Sequence, residues 1–197
     1  MLGAIKYNLT HLLDVGGRDA RQTFWYYVLF LVLLNYAIGL LAVIPVIVGV
    51  MSAATEAASN GANGQQALIA GPMGVAMGGM LWVSVGSAVL MALALVAAFV
   101  RRLHDSNRSG WWVLLPLAAQ ALSIAFSIRM MGAVQDVMHN AMNLGADPSG
   151  MQGMMERQRE FTLYGLPGWI GPIVVIAFGV IKSTDGPNRF GEAPVRF

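Results

Sequence analysis

Phe24 to Met51 is a run of 28 residues without a charged side chain, and Asn35 is its only strongly polar one. A helix rises about 1.5 Å per residue, so about 20 apolar residues cross the roughly 30 Å hydrocarbon core of a bilayer. A second uncharged run of 28 residues, Met73 to Val100, follows. Trp111 to Ile128 is shorter and clean, and Tyr164 to Ile181 is a fourth. In lipid, only helices and closed barrels satisfy every backbone polar group. The chain therefore reads as one all-α integral-membrane domain over residues 1–197, a polytopic protein with four transmembrane helices at about 24–51, 73–100, 111–128 and 164–181. Charged residues make up 11% of it, against roughly 25% in soluble domains. The first apolar run starts too late and is too long for a cleaved signal peptide.

Charge orients the spans. The N-terminus, the connection between spans two and three, and the C-terminus hold nine bases: Lys6, Arg18, Arg21, Arg101, Arg102, Arg108, Lys182, Arg189 and Arg196. They hold five acids: Asp14, Asp19, Asp105, Asp185 and Glu192. The two outer connections, 52–72 and 129–163, hold three bases (Arg129, Arg157, Arg159) and five acids. Lysine and arginine near span ends favour the cytoplasmic side, so both termini and the Arg101–Trp112 connection are expected there. Trp25, Trp111 and Trp112 stand where interfacial aromatic anchors belong.

Several local features carry structural readings. Leu2, Ile5, Leu9, Leu12 and Leu13 recur at helical spacing in a segment too short to span. They predict an amphipathic helix that either lies on the membrane surface or packs on the base of the bundle. Gly16 and Gly17 end it, and Asp19 is placed to cap the next helix. Ala58 to Gln66 is Gly-rich and polar, an outer loop without chemistry. Gly74, Gly78, Gly79, Gly86 and Ser87 offer a small surface for close helix contact. Pro45, Pro167 and Pro172 predict kinks or a late helix start. Val134, Val137, Met138, Ala141 and Leu144 form an apolar helical stripe in the third connection, and Ser149 with Gln152 suits a second short helix. Seven of the thirteen methionines lie between Met130 and Met155. With His139 they raise a soft-metal site, but no compact spacing supports it, and adaptable apolar packing is the expectation. With no cysteine in the chain, thiolate catalysis and Cys-ligated metals are excluded. No cofactor, metal or nucleic acid is implied.

The densest chemistry is "RRLHDSNRSGWW", Arg101 to Trp112. His104 and Asp105 look like half a catalytic dyad, but neighbours on a helix point about 100° apart, and Ser106 and Ser109 lack a nucleophile-elbow setting. The four spans hold no ionisable group, which disfavours a proton relay; Asn35, Ser84, Ser87, Gln120 and Ser123 are the candidates for a polar track. Interfacial arginines pair with phosphates, and Asp105 is expected to hold Arg18, Arg21 or Arg101.

Three blocks, "GRDARQTFW" (Gly17 to Trp25), "RRLHDSNRSGWW" and "GPNRFGEAP" (Gly186 to Pro194), resemble, in order, the signature blocks of the domain of unknown function 805 family of small bacterial inner-membrane proteins. The resemblance implies four spans in the inner membrane, with no established active site to carry over. The two outer connections are longer than the compact family core needs. All three blocks fall on the cytoplasmic side. Arg18, Arg21, Arg101, Arg102, His104, Asp105, Arg108, Asn188 and Arg189 are therefore expected to form one polar cluster there, Asp105 within salt-bridge distance of an arginine from another block. Gly110 and Gly191 would allow tight turns beside it. The expected function is a non-enzymatic membrane subunit, scaffold or accessory protein. Its cluster would meet anionic lipid headgroups, a protein partner or a second copy. An oligomeric channel or transporter is the alternative, and an enzyme acting on a phosphate-bearing or lipid substrate the weaker one.

Overall fold

The computed structural model of the chain describes residues 1–60, 74–143 and 167–194. Among them are five α-helices: α1 (Leu2–Thr10), α2 (Arg21–Asn60), α3 (Gly74–Asp105), α4 (Leu114–Asn143) and α5 (Pro167–Val180). A 3-10 turn, Gly110–Val113, leads into α4. No strand occurs among the described residues; one isolated antiparallel bridge joins Asn188 and Gly191. Three stretches are long and apolar enough to cross a membrane: Arg21–Glu56, Gly78–Asp105 and Gly110–Arg129. They leave most of their apolar side chains uncovered, as a helix does when its solvent is lipid. The 14 residues of α5 reach about 21 Å at 1.5 Å each, less than a full hydrocarbon core.

Helices α2, α3 and α4 run past the C-terminal ends of the expected spans, whereas α5 lies within the fourth. The long apolar runs lie inside α2 and α3, but α3 continues through Arg101, Arg102 and His104 to Asp105. The charged stretch is thus the last turn of a helix rather than a loop. It stops in a Schellman arrangement. Asn107 takes the left-handed conformation (φ 55°), and its N–H donates to His104 O (3.0 Å) while that of Arg108 donates to Leu103 O (2.8 Å). Ser109 then accepts from the Trp111 N–H (3.5 Å) and starts the 3-10 turn. The expected outer connections are also partly helical, since α2 reaches Asn60 and α4 reaches Asn143. The stripe from Val134 to Leu144 continues the third span instead of forming a separate surface helix, except that Leu144 lies outside the described residues. Most of Ala58 to Gln66, the segment holding Ser149 and Gln152, and the start of the fourth expected span at Tyr164 also lie outside them. Pro45 and Pro172 sit inside helices, and Pro167 opens α5, where its missing N–H costs nothing.

The chain divides into two units: Met1–Tyr36 with Ser87–Leu122 and Pro167–Phe197, and Ala37–Gly86 with Ser123–Leu166. In the first, Phe24, Tyr27 and Leu31 of α2 recur at i, i+3 and i+7 and meet Ala98, Phe99 and Leu103 of α3 and Val175 of α5. Phe99 is the hinge of the aromatic packing, 6.2 Å from Phe24 and 6.3 Å from Phe178 between ring centroids. Tyr27 donates its hydroxyl to Ala94 O (3.2 Å). The close backbone approach is at Gly179, where a Cβ would stand 2.8 Å from Trp25 Cζ2 and 3.0 Å from Phe24 Cε1. In the second unit, Gly78, Gly79 and Gly86 have, beyond the adjoining backbone of their own helix, no atom of the described residues within 4 Å of where a Cβ would be. The small surface expected to seat a neighbouring helix has none against it there.

Candidate functional site

The first unit carries a buried polar cluster built on two aspartates and three arginines. Asp105, at the end of α3, is its hub. Its Oδ1 accepts from Arg18 Nε (3.3 Å) and Nη2 (3.1 Å), and its Oδ2 accepts from Arg102 Nη1 and the Ser183 hydroxyl. Arg18 comes from the segment before α2, and Ser183 from the tail after α5. The remaining Arg18 donors go to tail oxygens: Gly186 O (2.7 Å), Gly191 O (3.3 Å), and Thr184 O and Oγ1 (2.9 and 3.0 Å). The carbonyls of an α-helix's last turn have no partner within the helix, and here each end is served by another segment. Thr184 N–H and Oγ1 donate to Asp105 O (3.0 and 2.9 Å), and Asn188 Nδ2 donates to His104 O (2.9 Å), which closes α3. In return Arg102 of α3 donates from Nε to Gly179 O (3.2 Å) and from Nη2 to Ile181 O, which closes α5.

Arg101 does the same for α1. Its Nε pairs with Asp19 Oδ2 (3.1 Å), Nη2 donates to Asn8 Oδ1 (2.6 Å), and Nη1 donates to His11 O (2.9 Å) and Asp14 O. The Tyr7 ring lies over its guanidinium at 5.5 Å. Asp19 was expected to cap α2; its carboxylate instead holds Arg101, while its own N–H donates to Arg101 O (3.1 Å). Burial pushes the Asp19 carboxyl above its ordinary value, and Arg101 pulls against that rise.

The side chains of all five charged residues are buried. Three cations against two anions leave one excess positive charge. Helix C-termini, each equivalent to roughly half a negative charge, face two of the arginines and absorb the excess. Among the described residues only Thr23 Oγ1 and Ser123 Oγ are buried side-chain polar atoms without a partner, and neither belongs to the cluster.

Of the residues singled out from the sequence, Arg18, Arg101, Arg102, Asp105 and Asn188 meet here. Asp105 takes Arg18 and Arg102, not Arg21 or Arg101. The side chains of Arg21 and Arg108 are exposed and donate to no group of the described residues; Arg189, also exposed, reaches Asn107 O (3.3 Å) and covers the Phe190 ring. His104 turns away from the Asp105 carboxylate. Its ring stacks on Phe190 (3.9 Å, 7° between planes), and Nδ1 faces Gly17 O at 3.3 Å. Trp25 donates Nε1–H to Gly179 O (3.1 Å), Trp112 packs on Phe178 (5.3 Å), and Trp111 is exposed. Gly110 permits close packing rather than an unusual backbone, since a Cβ there would lie 3.0 Å from Val100 Cγ1, whereas Gly191 has φ +130°. Asn35 and Ser84 are exposed, and Ser84 donates to its own helix at Met80 O (2.9 Å). The side chains of His139 and of the methionines in α4, and all of residues 144–166, lie outside the described residues. Asn8, Asp19 as an ion partner, Ser183 and Thr184 were not foreseen. Their partners are an arginine fork and backbone carbonyls, and a carbonyl leaves no mark in a sequence.

The family described as "Protein of unknown function (DUF805)" matches residues 12–192 of the chain. The chain belongs to that family. No curated protein and no solved structure matches it.

Proposed function

We propose that this member of the DUF805 family is a non-enzymatic module of a bacterial inner membrane. It has four membrane-embedded helices, with both termini and the arginine cluster on the cytoplasmic side, and it serves as a scaffold or accessory subunit. The observation that carries the reading is that the cluster is closed on itself. Every N–H position of Arg18 is engaged, and Arg101 and Arg102 donate from all three of their nitrogens to groups of the chain. A site that turns over a substrate needs donors left for that substrate; this arrangement uses them to join α1, α3, α5 and the tail. Headgroup contacts then fall to the exposed cations Arg21, Arg108, Lys182 and Arg189, each worth roughly 1 kcal/mol beside anionic lipid. The nine-to-three bias of basic residues supports the cytoplasmic assignment.

Two measurements test it. Single cysteines in the tail and after Asn60, challenged with an impermeant thiol reagent on intact cells, report sidedness; labelling of the tail from outside overturns the topology. Purification in native nanodiscs with mass spectrometry should recover a stoichiometric protein partner or bound anionic lipid. Empty discs together with protein-dependent flux across liposomes would replace the scaffold by a channel.

A further inference from the structure

Helix α1 is amphipathic in the opposite sense to a helix packed on a soluble core. The face it turns inward carries Ala4 and the polar Asn8, both buried, and His11 one turn on. That face is what Arg101 holds, through Asn8 Oδ1 and the His11 and Asp14 carbonyls. The other face carries Leu2, Lys6 and Leu9 at i, i+4 and i+7, and Leu12 and Leu13 follow in the next turn. These leucines are exposed, Leu2 at 82% and Leu13 at 95%. A helix placed against water would show the reverse order, polar outward and leucine inward.

The position of α1 decides what covers the leucines. Arg101 lies a turn from the end of α3, and Gly78–Asp105 is one of the stretches long and apolar enough to span. A helix clamped to that turn sits at the depth where acyl chains give way to headgroups. Lys6 stands between Leu2 and Leu9, and its long stem lets the ammonium reach lipid phosphate while the leucines stay in hydrocarbon. A lysine centred in the stripe suits an anionic lipid surface and opposes a second copy of the same stripe, which would bring the two ammonium groups together.

We propose that residues 2–13 form a membrane-surface anchor: α1 and the turn after it lie in the plane of the interface, their leucines in the boundary layer of the same bilayer that holds α3, Lys6 on anionic phosphate, and the polar face of α1 fixed by Arg101. This rests on α3 crossing the membrane. Because the chain contains no cysteine, each introduced thiol is the sole labelling site. The full-length variants L9C and L13C, labelled with an environment-sensitive fluorophore, are reconstituted into vesicles of phosphatidylethanolamine and phosphatidylglycerol. L93C, on the exposed side of α3, reports lipid, and D185C, in the exposed tail, reports water. The expected result is loss of L9C and L13C fluorescence in vesicles of brominated lipid, comparable with L93C, and no loss on adding iodide. Iodide quenching as strong as that of D185C overturns the anchor. Quenching by neither agent means that protein covers the stripe, and overturns it too. Absence of lipid quenching at L93C removes α3 from the bilayer and takes both readings down.

Discussion

Replacing Asp105 by asparagine tests whether the buried cluster holds the first unit together. The carboxylate accepts four hydrogen bonds, from Arg18 Nε and Nη2 on one oxygen and from Arg102 Nη1 and Ser183 on the other. Asparagine keeps one acceptor. Whichever way its amide turns, the NH2 group faces at least one guanidinium N–H that cannot accept from it. The buried charge also rises, from one excess cation to two. Removing one partner of a buried ion pair costs about 3–5 kcal/mol. For a chain of this size, each kcal/mol moves the unfolding midpoint by about 2–4 °C, so Asp105→Asn should lower it by roughly 6–20 °C. Tryptophan fluorescence during a thermal scan in detergent micelles reads this directly. Asp185→Asn is the control, because the Lys182–Asp185 pair has side chains 81% and 88% exposed, and it should leave the midpoint in place. The variant Arg18→Gln completes a cycle: with both partners gone, the double variant should lose less than the sum of the single losses. A midpoint for Asp105→Asn equal to that of Asp185→Asn, or strictly additive losses, would refute the reasoning.

Arg101→Lys keeps the charge but not the fork. It should leave at least one of Asn8 Oδ1 and the His11 and Asp14 carbonyls unpartnered, at about 1–3 kcal/mol for each such group, and hydrogen exchange of the α1 amides should quicken relative to those of α3. Gly179→Ala would drive a Cβ into the Trp25 and Phe24 rings, an overpacking cost of about 1–3 kcal/mol. Gly86→Ala meets open space among the described residues and should be neutral or slightly stabilising in the same thermal scan. Asn107 has φ 55°, so Asn107→Ala should lose about 1–2 kcal/mol whereas Asn107→Gly loses nothing. Equal midpoints for the two Asn107 variants would remove the Schellman turn from the account.

What the sequence disclosed followed from the kind of physics each feature uses. Burial in lipid depends on side-chain composition alone, so the uncharged runs located α2 and α3. Opposite charges attract whatever the fold, so an arginine from a distant block was expected at Asp105, and Arg18 is there. Helix ends were less legible. Helix α3 runs past its apolar stretch to Asp105, because Asp19 and Asp105 pair with its arginines and backbone carbonyls accept their remaining N–H groups. Asp19 is as good a helix cap as it is an ion partner, and only the arrival of Arg101 decides between them. The glycines from Gly78 to Gly86 permit close contact without requiring it. The contact formed at Gly179 instead, because Trp25 and Phe24 needed the room.

Two of the buried arginines, Arg101 and Arg102, share one physical problem and one solution to it. A helix that ends near a membrane interface presents several carbonyls where water is scarce. Each of these needs a donor, and the C-terminal end of the helix dipole favours a cation. Guanidinium supplies five N–H groups in a rigid plane, whereas an ammonium supplies three about a point. Arg102 can therefore serve Asp105 and the Gly179 and Ile181 carbonyls together, and Arg101 can serve Asp19, Asn8 and the His11 and Asp14 carbonyls that follow α1. Asp105 and Asp19 keep the added positive charge close to balance, which is why two acids lie inside a block whose bias is basic. The same arginines that set the charge bias of the chain thus also tie separate helices to one another. Charge placement and packing are one device in this chain, and a substitution that preserves the first while spoiling the second separates them.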